Sequence, residues 1–256
     1  MTNNNDIHIS GSGKMGGGRY GSVNISGSGK LQGSIECDSM HVSGACKVEE
    51  GDLTVHGELH CSGATKVEGS LSANLVKTSG SIHVEGSAAV QEALSVSGSF
   101  NSEGDLRVGS LSVSGVCKAE GSISGNEIAV SGVLKTPGDV QAERFRSSGA
   151  LSIDGLLNAE TVAIELSGDS MIRSIGGGKV QVKKRNGSFV ILGFKRRVHL
   201  NCEQIEADEI DLEYTDCQTV RGVNVHIGPE CVIDRVEYSG TLTTDANCSI
   251  GEKVKI

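Results

Sequence analysis

Ser-Gly pairs recur through the first two thirds of this chain, ending at Gly11, Gly27, Gly44, Gly63, Gly80, Gly98, Gly115, Gly132, Gly149 and Gly168, spaced 16 to 19 residues apart. A fixed period makes one small structural unit repeat, and such a unit buries its apolar face only by stacking on its neighbours. In most copies a second glycine follows six residues later, at Gly33, Gly69, Gly86, Gly104, Gly121, Gly138 and Gly155, with Gly51 displaced by one. Two glycines per repeat mark two corners where the backbone needs positive φ or tolerates no Cβ.

Between the corners the apolar residues alternate. Aligned on the glycines, they fall in columns: Leu31, Val67, Val84, Ala119, Ile153; Ile35, Leu71, Ala88, Leu106, Ile123, Val140, Leu157; Cys46, Thr65, Ile82, Phe100, Cys117, Leu134, Leu151. Further columns run through Ala73, Val90, Val108, Ala142, Ala159, through Met40, Leu111, Ile128, Phe145, Val162, and through Val42, Val113, Val130, Ile164. Six inward positions arranged as three i, i+2 pairs describe three short strands per repeat, each burying one face. The expected fold is all-β: a single-stranded parallel β-helix, triangular and right-handed by the usual crossover rule, with about 17 residues per turn. A narrow core of Val, Leu, Ile and Ala also accounts for a chain of 256 residues with no Trp, three Tyr and four Phe.

The formal charge of -9 argues against general nucleic-acid binding, which needs a basic surface. The polar opening MTNNNDIHISGSGK and the lack of a long apolar run predict a cytoplasmic protein. The eight cysteines contain no CxxC pair, and Cys202, Cys217, Cys231 and Cys248 recur about once per turn. They read as reduced, small apolar fillers of a core column.

After Gly168 the spacing fails. Residues 179–197, KVQVKKRNGSFVILGFKRR, hold seven basic residues and no acid, with Asn186-Gly187 between two β-prone segments. That dipeptide predicts a hairpin inserted in the coil. The expected organisation is therefore a flexible start (1–10), repeats (11–178), a basic hairpin (179–197) and closing turns (198–256). Lys183, Lys184, Arg185, Phe189, Ile191, Phe194, Lys195, Arg196 and Arg197 are its candidate contacts with a membrane surface or an envelope protein. The other reading packs the hairpin against its own acidic neighbour, residues 203–216, which carries seven acids.

No catalytic, metal or cofactor constellation is expected. The seven histidines occupy unrelated repeat positions, and only His56 and His60 lie close together, beside Glu58. An acyltransferase of the hexapeptide type or a γ-type carbonic anhydrase would require a placed histidine set.

A chain of short Gly/Ser/Val-rich turns, with GVNVHIGPECVIDRVEYSG at residues 222–240, resembles the bactofilins, polymer-forming bacterial cytoskeletal proteins. The resemblance implies end-to-end assembly into nonpolar, nucleotide-independent filaments, alone or with a related partner. Such filaments lie in the cytoplasm or at the inner membrane face and organise cell-shape, envelope or motility machinery. The end turns of a β-helix leave unpaired backbone and uncovered core. The expected self-assembly residues are Tyr20, Val23 and Ile25 at one end, and Val236, Tyr238, Leu242 and Ile250 at the other. The competing classes are a β-helix enzyme or binding protein for polysaccharide or nucleotide-sugar, and a non-polymerising adaptor that docks through the hairpin.

Overall fold

A computed structural model describes residues 5–185 and 198–256. The chain is 76% strand and forms a parallel β-solenoid of about 14 turns, with paired residues about 17 positions apart. It divides into two compact units, residues 1–125 and 126–256.

In the first unit each turn pairs in parallel and in register with the next. Leu53, Leu71, Ala88 and Leu106 stack as one column, and Leu59, Val76, Leu94 and Leu111 as another. A third runs through Cys46, Thr65, Ile82, Phe100 and Cys117. These residues are almost wholly buried, because an inward side chain touches the same column one turn above and below. Each fully buried Val, Leu or Ile contributes about 1.5–3 kcal/mol relative to exposure. The two Phe rings of the described core, Phe100 and Phe145, are fully buried and fill single column positions.

The second unit stacks its own columns in the same way, with fewer, longer strands. Phe145 stacks on Val162, Val180, Ile210 and Val225 in succession. The segment around Lys179 departs from expectation. Lys179–Lys184 is not the first arm of a hairpin but the end of strand Ser170–Lys184, paired in parallel with Thr161–Leu166 and, through Val182, with Glu209–Leu212. Its alternating Val180 and Val182 are fully buried, so they belong to the core period rather than to an insertion. The coil also starts earlier than residue 11: strand Ile7–Ile9 pairs with Val23–Ile25.

The corners explain the glycines. Among the described residues positive φ occurs at only two glycines, Gly18 and Gly33; space is what requires glycine at most of the repeated Ser-Gly corners, Gly11 and Gly168 excepted. A Cβ on Gly44, Gly63, Gly80, Gly98 or Gly115 would fall on the carbonyl oxygen of the Ser-Gly glycine one turn below. That close approach comes from a repeated hydrogen-bond pattern. In Ser43-Gly44 both amides donate to the Ile25 carbonyl, at 2.9 and 3.2 Å, and Ala45 donates to Gly27 at 2.8 Å. Where Gly51 is displaced, Glu50 takes the left-handed conformation with φ 58, and its amide donates to Glu68 Oε2.

The second corner carries an aspartate that the column analysis did not single out. Asp52, Asp105 and Asp139 follow their glycines, and their Oδ1 atoms accept the amides of Ser70, Ser122 and Leu156 one turn on, at 2.7–2.9 Å. Each carboxylate satisfies a corner amide of the next turn.

Replacing Gly80 by Ala should destabilise the protein by about 1–3 kcal/mol, since only backbone movement can relieve the overlap. Gly168→Ala, where a Cβ meets nothing within 4 Å, should stay within about 0.5 kcal/mol. Paired thermal or urea unfolding of the two variants measures the difference.

Candidate functional site in the outer turns

The flat sides of the coil carry short-range ion pairs. Lys47 Nζ lies 2.8 Å from both Glu49 and Glu68, Lys66 pairs with Glu85 at 2.7 Å, and Lys118 pairs with Glu120. The contacts hold the Glu49 and Glu68 carboxyls below the ordinary carboxylate range, chiefly through the Lys47 hydrogen bond. Such exposed pairs add little stability; their effect is to match neighbouring turns in charge.

His56 and His60 have different partners. His56 Nε2 meets Glu36 Oε1 at 2.7 Å, whereas His60 stacks on its register partner His41, with centroids 4.9 Å apart and planes 3° from parallel. Among the described residues no group of three or more His, Cys, Asp or Glu is arranged to hold a metal ion. Within the second unit a shallow groove of about 600 Å³ crosses outward positions including Met171, Asn201, Asp216 and Val232. Asp216 Oδ1 lies buried there without a hydrogen-bond partner.

Cysteines 37, 46, 61, 117, 202, 217 and 231 are buried, and Cys248, in the last turn, is half-buried. Desolvation pushes the Cys37, Cys46, Cys117 and Cys231 thiols up to about 12. Contact with Cys217, its register partner, followed by burial, raises Cys202 as well.

The predicted basic contact residues divide. Lys183 pairs with Asp211 at 3.1 Å, as Lys179 does with Glu209 at 3.0 Å. Lys184 Nζ sits 4.5 Å from the Tyr214 ring centroid, and the Arg185 amide donates to Leu166. This part of the basic segment therefore lies against the acidic stretch 203–216. Phe189, Ile191, Phe194, Lys195, Arg196 and Arg197 fall outside the described residues.

The predicted self-assembly residues also divide. Val23, Ile25 and Val236 are 0–1% exposed, because each is covered by a further strand: Ile7–Ile9 over the first two, and Lys253 over Val236. They lie one turn inside the outermost strands. Tyr20, Tyr238, Leu242 and Ile250 are half-buried and do reach the outer turns. The residues missed at the first end are Ile7 and Met15, both half-buried. They are readable from the repeat once Ile7 is aligned with Val23, and Met15 with Leu31.

Two features distinguish the outer turns from the rest. In the last one, residues 241–244 pair on one side with Asn224–Ile227, and strand Ser249–Lys255 reaches only as far as Tyr238 on the other. Leu242 is thus half-buried, whereas Val225 beneath it is 2% exposed. A charge clamp holds this turn in place. Glu237, 8% exposed, accepts Arg221 Nε at 2.7 Å and Arg235 Nε at 2.7 Å, and Arg235 Nη1 continues to Glu252 at 2.8 Å.

No family model matches the chain. Over 102 residues, 40% of the chain, it is 44% identical to the uncharacterized protein YhbE of Bacillus subtilis, and the match covers 43% of that protein. A second uncharacterized B. subtilis protein, YhbF, is 36% identical over 102 residues, 42% of its length. The chain thus spans less than half the length of these two relatives. No solved structure matches it.

Two measurements follow from this geometry. With seven thiols buried and several pushed far above neutral pH, a disulfide reagent at pH 8 should label Cys248 in the native protein and the other seven only after unfolding. The arginine hydrogen bonds, Arg221 first, hold the Glu237 carboxyl below its ordinary 4.5. A depressed carboxylate stabilises the fold above pH 4.5, and that contribution is lost as the pH falls through the lower folded value. Protection of amides 232–255 against hydrogen exchange, taken relative to intrinsic rates, should therefore fall as the pH drops below the ordinary carboxylate range, and Glu237→Gln should abolish that pH-dependent step.

Proposed function

We propose that this chain is a non-enzymatic scaffold protein whose copies join through their outer turns into nucleotide-independent filaments. The observation that carries this reading is the incomplete turn at 239–244. Among the described residues 241–244 have a strand partner on one edge only, and the half-buried Leu242, with Ile250 in the strand that follows, stands in a column that in earlier turns is covered by the next turn. A second copy supplies both the missing backbone partners and the missing core cover, in the manner of β-strand addition. The bactofilin resemblance adds the expectation of a polymer in the cytoplasm or at the inner membrane face, serving envelope, cell-shape or motility machinery. The acid-facing Lys179 and Lys183 leave membrane or partner contact to residues beyond Arg185.

Purified protein should scatter light as an oligomer that grows with concentration and should form filaments in negative stain without nucleotide. Leu242→Glu, which places a charge at the joint, should reduce assembly by at least about tenfold while the circular dichroism stays β-rich. A protein that remains monomeric across concentration and salt would overturn the reading.

A further inference from the structure

The groove of about 600 Å³ in the second unit lacks the charge matching seen at Lys47, Lys66, Lys179 and Lys183, each of which sits against an acid. It is lined by four acids, Asp154, Glu203, Asp216 and Asp234, and by one base, Arg173. None of the four acids has an ion-pair partner among the described residues. We infer that this groove is the docking site for a basic, extended segment of a partner protein, whose lysine or arginine side chains meet the acids. The inference goes beyond the scaffold reading, because it concerns what the coil holds and does not depend on how copies assemble.

The groove runs across the turns. Met171, Asn201, Asp216 and Val232 are successive register partners, and Arg173, Glu203 and Asp234 stand two residues further along their strands. Both rows point outward, since the residues between them, Ile172, Cys202, Cys217 and Ile233, are buried. With turns about 4.8 Å apart, the rims at Met171 and Val232 are about 14 Å apart, the span of about four extended residues. A peptide of that length passes every acid in the groove.

The lining gives the occupant its chemistry. Asp216 is half-buried, and its Oδ1 is buried without a hydrogen-bond partner. No donor among the described residues offsets that buried oxygen, and an outside cation at the carboxylate lowers the cost of burying it. Met171 and Val232, 57% and 47% exposed, present apolar surface at the two ends of the row. There the methylene stem of a lysine or arginine packs while its charged head reaches an acid. Among the described residues no group of three or more His, Cys, Asp or Glu is arranged to hold a metal ion, so the acids suit several separate cationic heads better than one ion. Four acids against one base repel a polyanion.

The test is fluorescence anisotropy, with the full chain titrated onto a labelled Lys-Leu-Lys-Leu-Lys peptide and onto a Glu-Leu-Glu-Leu-Glu control. The lysine peptide should bind and the glutamate peptide should not. Asp216→Asn and, separately, Asp234→Asn should each weaken binding by at least about threefold. Met171→Ser combined with Val232→Ser should weaken it by about the same factor. Asp234 is exposed, so its variant reads the groove even if the change at Asp216 disturbs the fold. Glu92→Gln, which makes the same change of net charge in the first unit, should leave binding unchanged. No binding of the lysine peptide overturns the inference. Equal weakening by Glu92→Gln overturns it as well, because the attraction is then one of net charge alone. Displacement of the peptide by spermidine at equal concentration marks a site for small polyamines and also overturns it. Light scattering of the unaltered chain is a separate readout: a monomer that binds the peptide overturns the scaffold reading and leaves the groove standing.

Discussion

The distance between one turn and the next governs this molecule. Parallel strands stack about 4.8 Å apart, and at the Ser-Gly corner two successive amides converge on one carbonyl of the turn below. No side chain fits into that approach, so the corner takes glycine for want of space and not for want of conformational freedom. Once the corners are stacked, the three sides of each turn are in register, and the apolar columns follow as a geometric consequence. The corner aspartates and the Lys47–Glu68 and Lys66–Glu85 pairs obey the same rule, each matching a group about one turn away.

Along the sides of the coil backbone amides are taken by the next turn and many charges by adjacent side chains, the groove at Met171, Asp216 and Val232 being an exception. Among the described residues the matching is broken at Ile7–Ile9 and at 241–244, which have a strand partner on one edge only. Leu242, Ile250, Lys253 and Lys255 stand at one such break, and Ile7, Met15, Gly18 and Tyr20 at another. The charge clamp of Arg221, Glu237, Arg235 and Glu252 lies just beneath the first and holds the turn that presents it.

Much of this was legible from residue order. The columns and the period appear in the alignment on Ser-Gly glycines, since burial repeats whenever the chain returns to the same side. The cysteine column holds only for Cys202 and Cys217, because Cys217 stacks on Ile233 rather than Cys231, and Cys248 is half-buried. Legibility failed where a residue's role depends on what lies above or below it. Val23, Ile25 and Val236 read as end residues, yet each is covered by one more strand. Lys179–Lys184 read as a hairpin arm because its charges dominate the composition, although Val180 and Val182 keep the inward period and its lysines face Glu209 and Asp211.

The sequence by itself determined that the chain coils, with what period, and which residues point inward, because glycine spacing and apolar alternation are local properties repeated many times. Only the tertiary structure decided which strands cover Val23, Ile25 and Val236, which charges are already paired, and that among the described residues 241–244 have a partner on one edge alone. Those are relations between residues a full turn or more apart.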